Sequence, residues 1–254
     1  MTTSVAFVRP VSASLGACEL TFVARAPIDV ARAEIQHAAY CRALAETGAR
    51  VVYMDAAPDL PDAVFVEDTA VALDDLIVVT RPGSRVRQDE IVTAASALAA
   101  HRRVSLIREP GTLDGGDVLR VGSDLFVGIT ARSNRAGFDQ LAAVASRAGM
   151  RVTAVPVRGV LHLKTAVTAL DDGALIMRDG CVDRSTFAAY EIIDVDPSEP
   201  EGANVISVNG RVFAAASAPR TRELIAKRGY DVVALDISEF EKAEAGLSCL
   251  SILI

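Results

Sequence analysis

NVISVNGRVFA, residues 204–214, reads as two short β-rich runs closed by Asn209-Gly210. Asn-Gly is the strongest short hairpin signal, because both central residues of the favoured two-residue turn need positive φ. The same layout recurs upstream. Thr69–Thr80 is TAVAL, Asp74-Asp75, LIVVT; Asp117–Ile129 is DVLRV, a Gly-Ser-Asp turn, LFVGI; Thr165–Met177 is TAVTAL, Asp171-Asp172-Gly173, ALIM. A helix-like stretch and one more apolar strand follow, as in SALAAHRRVSLI, AAVASRAGMRVTAV and RELIAKRGYDVVAL. The copy ending near Tyr190–Val195 is weaker, with only a short helix expected near Asp183–Ala189. The unit is ββαβ, recurring every roughly 40 to 50 residues.

One copy is split across the ends of the sequence. Val5–Val8 reads as a strand, and a polar loop follows over about Pro10 to Pro27. Asp29 is an N-cap for a helix running to about Thr47, with Gly48 as its stop and Ala49–Met54 as the next strand. The missing hairpin partner is Leu250–Ile254. If those end strands pair, the ring closes and no sheet edge is left exposed. The expected fold is a five-bladed α/β propeller in a single domain, residues 1–254. A doubly wound sheet is commoner, but it alternates strand and helix without hairpins. GTLDGGD is not GxGxxG, and it precedes a strand rather than a helix.

Composition narrows the partners. The 254 residues carry a net charge of -7, with 26 basic and 33 acidic side chains. No Lys/Arg cluster is present to neutralise phosphates, so a nucleic-acid partner is not expected. No stretch reads as a signal peptide or a membrane span. Cys18, Cys41, Cys181 and Cys249 show neither CxxC nor zinc spacing, so no metal and a reducing cytoplasm are expected.

Quasi-equivalent positions in a closed ring face one axis. Just upstream of successive first strands stand Glu67-Asp68, Asp114 in TLDGGD, His162 in LHLKT and Cys249 in LSCLSILI. Taken singly, each has a bland reading. A lone Cys is usually a small buried hydrophobe, Asp-Gly-Gly a turn, and Glu-Asp a solvated corner. As an extended segment, LHLKT would point Leu161 and Leu163 one way, with His162 and Lys164 opposite. His37 and His101, in or beside helices, read as solvated. Together the axial residues are a nucleophile, an acid/base and carboxylates, which also fits a thiol protease. Extra carboxylates do not suit a peptide carbonyl. They suit a guanidinium, whose N–H groups pair bidentately with carboxylates.

PDAVFVEDTAV, TRPGSR, GTLDGGDVLRVG, FVGITARSN, LHLKT and LSCLS, in that order, resemble the dimethylarginine dimethylaminohydrolase family over nearly the whole chain. The resemblance implies a five-bladed propeller of the guanidino-group-modifying superfamily. It makes Cys249 the nucleophile, His162 the general acid/base and Asp114 its orienting carboxylate. Asp62, Glu67 and Asp68 would bind the guanidinium and α-amine. Arg85, in preference to Arg87, and Arg132 would hold the substrate carboxylate. Leu15, Ala243 and Ser248 would complete the pocket, Leu15 within an N-terminal lid. The implied substrate is a methylated arginine, with no cofactor, no nucleic acid and no membrane, in a monomer or homodimer. Arginine deiminases share the triad but carry a helical insertion for which this chain has no room. A non-catalytic propeller, like the ribosomal anti-association factor, would not need the intact Cys249, His162 and Asp114.

Overall fold

The computed structural model describes residues 4–254. Five three-stranded sheets are present among them. The first combines β1 (Val5–Val8), β2 (Arg50–Tyr53) and β15 (Ile252–Leu253). The others are β3 (Ala70–Ala72) to β5 (Arg103–Leu106) through β4 (Leu76–Val79), and β6 (Val118–Val121) to β8 (Arg151–Pro156) through β7 (Asp124–Ile129). Then come β9 (Val167–Ala169) to β11 (Ile192–Asp194) through β10 (Leu175–Met177), and β12 (Ile206–Val208) to β14 (Asp231–Leu235) through β13 (Arg211–Ala215). Every sheet has one antiparallel pair, a hairpin in four of the five, and one parallel pair, the signature of ββαβ. The ring closes through the split module. Ala6 faces Leu253 and Phe7 faces Ile252, antiparallel, while β1 runs parallel to β2.

Helices return each chain to its third strand. Asp29 caps α1 (Val30–Glu46) by accepting the Arg32 N–H, and Gly48 at φ 87° ends it. Asn134 caps α3 (Arg135–Arg147) in the same way, through Gly137 N–H. Between them lies α2 (Glu90–Ala99), and α5 (Pro219–Ala226) serves the last module. The fourth module has only a 3-10 turn, Arg184–Phe187, where a short helix was expected. At the tip of the β12–β13 hairpin, Asn209 and Gly210 both have positive φ, 51° and 84°.

Apolar residues form separate clusters between modules. In one, Phe138, Leu141 and Ala145 of α3 meet Val118, Leu125 and Val127. In another, Tyr40 and Leu44 of α1 meet Val8, Phe213 and Phe240. His37 belongs to this second region and is buried beside Tyr40, Cys41 and Phe240. The sequence had suggested solvent. The apolar stripe of α1 turns His37 inward, and burial pushes its pKa down to about 4.

Each module enters its first strand through a short helical turn. These are Val66–Thr69, Gly115–Asp117, α4 (Leu163–Ala166), Pro200–Ala203 and Ser248–Leu250. LHLKT is therefore not extended throughout. His162 is the extended N-cap residue, and the chain coils immediately after it. Removing residues 252–254 deletes buried Ile252 and the paired Val5–Ile254 backbone bonds of 3.0 and 2.9 Å. That loss costs at least about 3 kcal/mol, so a thermal melt of the truncated protein should fall by roughly 6–12 °C.

Candidate active site

Three of the turns bring Asp114, His162 and Asp68 together. His162 Nε2 lies 3.0 Å from Asp114 Oδ2, and His162 Nδ1 lies 3.9 Å from Asp68 Oδ1. Asp114 is fully buried, and its other oxygen accepts the Gly83 N–H at 2.8 Å. Asp68 accepts the Gly116 N–H at 2.9 Å and Arg87 Nη1 at 2.5 Å. Burial disfavours charge on both His162 and Asp68, but their mutual attraction outweighs it. Asp68, Asp114 and Asp117 raise His162 to about 9, while His162 and Arg87 lower Asp68 to about 2.

Asp117, one turn on, is also fully buried. It accepts Leu163 N–H at 2.9 Å and the Thr130 hydroxyl at 2.7 Å, tying down the turn behind His162. Burial raises it to about 6. Glu67 accepts Lys164 Nζ at 2.7 Å and the Ser248 hydroxyl at 2.8 Å. Cys249 follows Ser248 and is half-buried, its Sγ 3.4 Å from Gly246 N. Desolvation, then the negative fields of Glu67 and Asp68, push its thiol pKa far up.

The outer end of the site is polar. Asp62 accepts Glu19 N–H at 3.2 and 3.3 Å, and Arg132 Nη1 pairs with Glu19 Oε2 at 3.1 Å. Ala243 is buried at the end of the loop after α6 (Ser238–Glu241). Glu244 beside it accepts the Thr21 and Phe22 N–H groups at 2.7 and 3.0 Å, fastening the N-terminal loop. Leu15 does not cover the site as expected of a lid residue. It is fully buried with Val8, Phe65 and Leu247, and it anchors that loop.

Arg85 is a second correction. It is exposed, whereas Arg87 is buried against Asp68, Glu90 and the Phe65 carbonyl. Arg85–Arg87 is one 3-10 turn, which gives residues two apart different directions. Only Arg87 turns inward, and it finds Glu90 three residues on; the RQDE spacing of Arg87 and Glu90 was the available signal.

Ligand atoms of Asp68, Asp114 and His162 lie within 4.8 Å of one another, close enough to consider a metal. Each already has protein partners. Nε2 and Asp114 Oδ2 share a hydrogen bond, and both Asp68 oxygens accept protein donors. The three groups form a proton-sharing His162–Asp114 pair beside the Asp68–Arg87 ion pair.

Five modules with carboxylates, imidazole and thiol at their axis define a guanidino-modifying type of hydrolase. Residues 56–202 match the family model "Arginine deiminase". N(G),N(G)-dimethylarginine dimethylaminohydrolase of Streptomyces coelicolor is 42% identical over 255 residues, covering 99% of this chain and 97% of that one. The Pseudomonas aeruginosa enzyme, solved as a cysteine-to-serine mutant with citrulline, superposes with a TM-score of 0.96 at 33% identity, covering 100% of both chains. A dimethylarginine dimethylaminohydrolase solved as the adduct of a histidine-to-glycine variant with S-methyl-L-thiocitrulline gives 0.95 at 33%, also covering 100% of both. The chain belongs to the dimethylarginine dimethylaminohydrolase family.

A Cβ added at Gly116 would lie 2.6 Å from His162 Nδ1. Gly116→Ala should therefore lower kcat at least about tenfold by displacing the imidazole. The melting temperature should move by only a few degrees, and steady-state kinetics beside a melt checks both.

Proposed function

We infer that the protein hydrolyses N-methylated L-arginine to L-citrulline and the free methylamine or dimethylamine. One observation carries this reading: the axis holds more buried carboxylate than cation. Asp62, Glu67, Asp68, Asp114, Asp117 and Glu90 are buried there, against Arg9, Arg87, Lys164 and a protonated His162. A cationic substrate relieves the imbalance.

The mechanism follows from the protonation states. Cys249 begins as a thiol; a guanidinium held by Asp68 and Glu67 favours its thiolate, and the proton leaves to solvent. The sulfur attacks the guanidinium carbon. His162, charged at neutral pH and held by Asp114, gives its proton to the departing amine as the C–N bond breaks. A covalent thiouronium remains on Cys249. Neutral His162 then takes a proton from water, whose oxygen adds to the same carbon; the C–S bond breaks, the added hydroxyl's proton passes to the departing sulfur to restore the thiol, and citrulline is released. Asp62 suits the substrate α-amine. Arg132 suits its carboxylate, once Glu19 yields that position. Ala243 and Ser248 wall the pocket. No cofactor enters.

Among the described residues no helix is long and apolar enough to cross a membrane, and all four cysteines are free. We read the chain as one catalytic domain acting on a small molecule in the cytoplasm, without nucleic acid or membrane, as a monomer or homodimer.

Citrulline release should be faster, by kcat/KM, on asymmetric dimethylarginine than on arginine. Each methyl in an apolar wall is worth about 1–3 kcal/mol, and the extra N–H groups of arginine would go unpaired there. A preference for arginine would move the assignment to a deiminase. With either substrate, Cys249→Ser should release no citrulline while keeping its fold; retained turnover would remove Cys249 from the reaction.

The two shifted groups set the pH dependence. Cys249 must lose a proton that burial and carboxylates hold, so kcat/KM rises as pH climbs from neutral. His162 must keep its proton, so the rate falls again above about 9. A profile declining between neutral pH and 9 would contradict these roles.

A further inference from the structure

Four modules place Glu67-Asp68, Asp114, His162 and Cys249 just upstream of their first strand. In the fifth, Asn204 follows the turn Pro200–Ala203 and stands ahead of β12. It is buried, and its side-chain amide is fully employed. The Ser248 N–H donates to Asn204 Oδ1 at 2.9 Å. Asn204 Nδ2 donates to the Lys164 carbonyl at 3.1 Å and to Ser248 Oγ at 3.0 Å. The amide has one workable orientation, since only its oxygen can accept from Ser248 N–H and only its nitrogen can meet a carbonyl.

These partners belong to the two reacting segments. Ser248 immediately precedes Cys249, and Lys164 lies in α4, the turn that follows His162. The circuit then closes on itself. Ser248 Oγ donates to Glu67, and the other Glu67 oxygen accepts Lys164 Nζ. Gly246 adds an independent sign of close fit. A Cβ there would fall 2.4 Å from Asn204 Cγ and Oδ1, so the nucleophile segment lies flat against the amide. Gly246 is needed for this approach rather than for an unusual φ.

We propose that Asn204 is a positioning residue for the reaction, locking the segment that carries the Cys249 thiol to the turn that carries the His162 imidazole. The proposal rests on the roles given above to Cys249 and His162. Asn204 touches neither reacting atom. Without it, a buried N–H and a part-buried carbonyl lose their partner, and the two segments are free to shift. A shift of about 1 Å in reacting groups costs up to about a hundredfold in rate.

The test compares Asn204→Ala and Asn204→Asp with the wild-type enzyme on asymmetric dimethylarginine, with Cys249→Ser alongside. Asn204→Asp keeps the shape and still accepts from Ser248 N–H. It replaces both donations, however, with a carboxylate facing the Lys164 carbonyl. In both variants kcat should fall at least about tenfold while KM stays within about twofold, because Asp62 and Arg132, in other modules, hold the substrate's polar ends. Adduct formation in a single turnover should slow by the same factor as kcat, and circular dichroism should be that of the wild type. A folded variant with wild-type kcat, or a loss confined to KM, overturns the proposal. If Asn204→Ala does not fold, Asn204→Asp and Gly246→Ala decide on the same criteria. Turnover by Cys249→Ser would instead refute the underlying mechanism, so the two failures are distinguishable.

Discussion

Buried negative charge at the ring axis is the constraint that the rest of the structure serves. Carboxylates removed from water are costly unless cations or donors meet them. Arg87 is committed on several sides at once, to Asp68, to Glu90 and to backbone carbonyls. Glu90 stays elevated through burial despite that partner, and so does Asp62. Arg9, fully buried, adds its charge from behind by donating to the Glu90 carbonyl. Protonated His162 supplies much of what remains. The same burial and carboxylates hold the proton on the Cys249 thiol.

The fold supplies that convergence cheaply. Each module ends its helical turn at the axis and starts its first strand there, so side chains far apart in sequence meet without long loops. Three glycines do the same work at two of these junctions. Gly115 lies where a Cβ would strike the Glu67 carbonyl oxygen at 1.9 Å, Gly116 lies against His162, and Gly246 against Asn204. Backbone contact between modules sets the spacing of Asp68, His162 and the Cys249 segment, so mutual positions are carried by the scaffold rather than by flexible side chains.

The repeat was legible because hairpin turns and helix stops are local. Asn209-Gly210, Asp29 and Gly48 act through their own φ and their own side chains. The axial residues were legible through quasi-equivalence, which converts position in a repeat into position in space. That reading brought Asp114, His162 and Asp68 to one place, where they are in contact; the roles given to them and to Cys249 rest on the family resemblance. What sequence alone did not give depends on direction within a turn. Arg85 and Arg87 differ only in which way one 3-10 turn points them, and both precede the same helix. Leu15 and His37 are likewise decided by packing against Phe65, Phe240 and their neighbours, which come from distant segments. Asn204 was hidden by chemistry rather than by place. An amide before a hairpin looks like ordinary turn material until its partners are known.

The central claim is that Cys249 carries the substrate carbon covalently and that His162 releases it. Mass spectrometry of acid-quenched His162→Gly enzyme, incubated with asymmetric dimethylarginine, tests this most directly. Without the imidazole the departing amine must draw its proton from solvent, so the adduct forms slowly, and no base remains to activate water, so it decays more slowly still. The account predicts a persistent thiouronium mass on the peptide containing Cys249, with little free citrulline. Rapid citrulline release with Cys249 unmodified would contradict it.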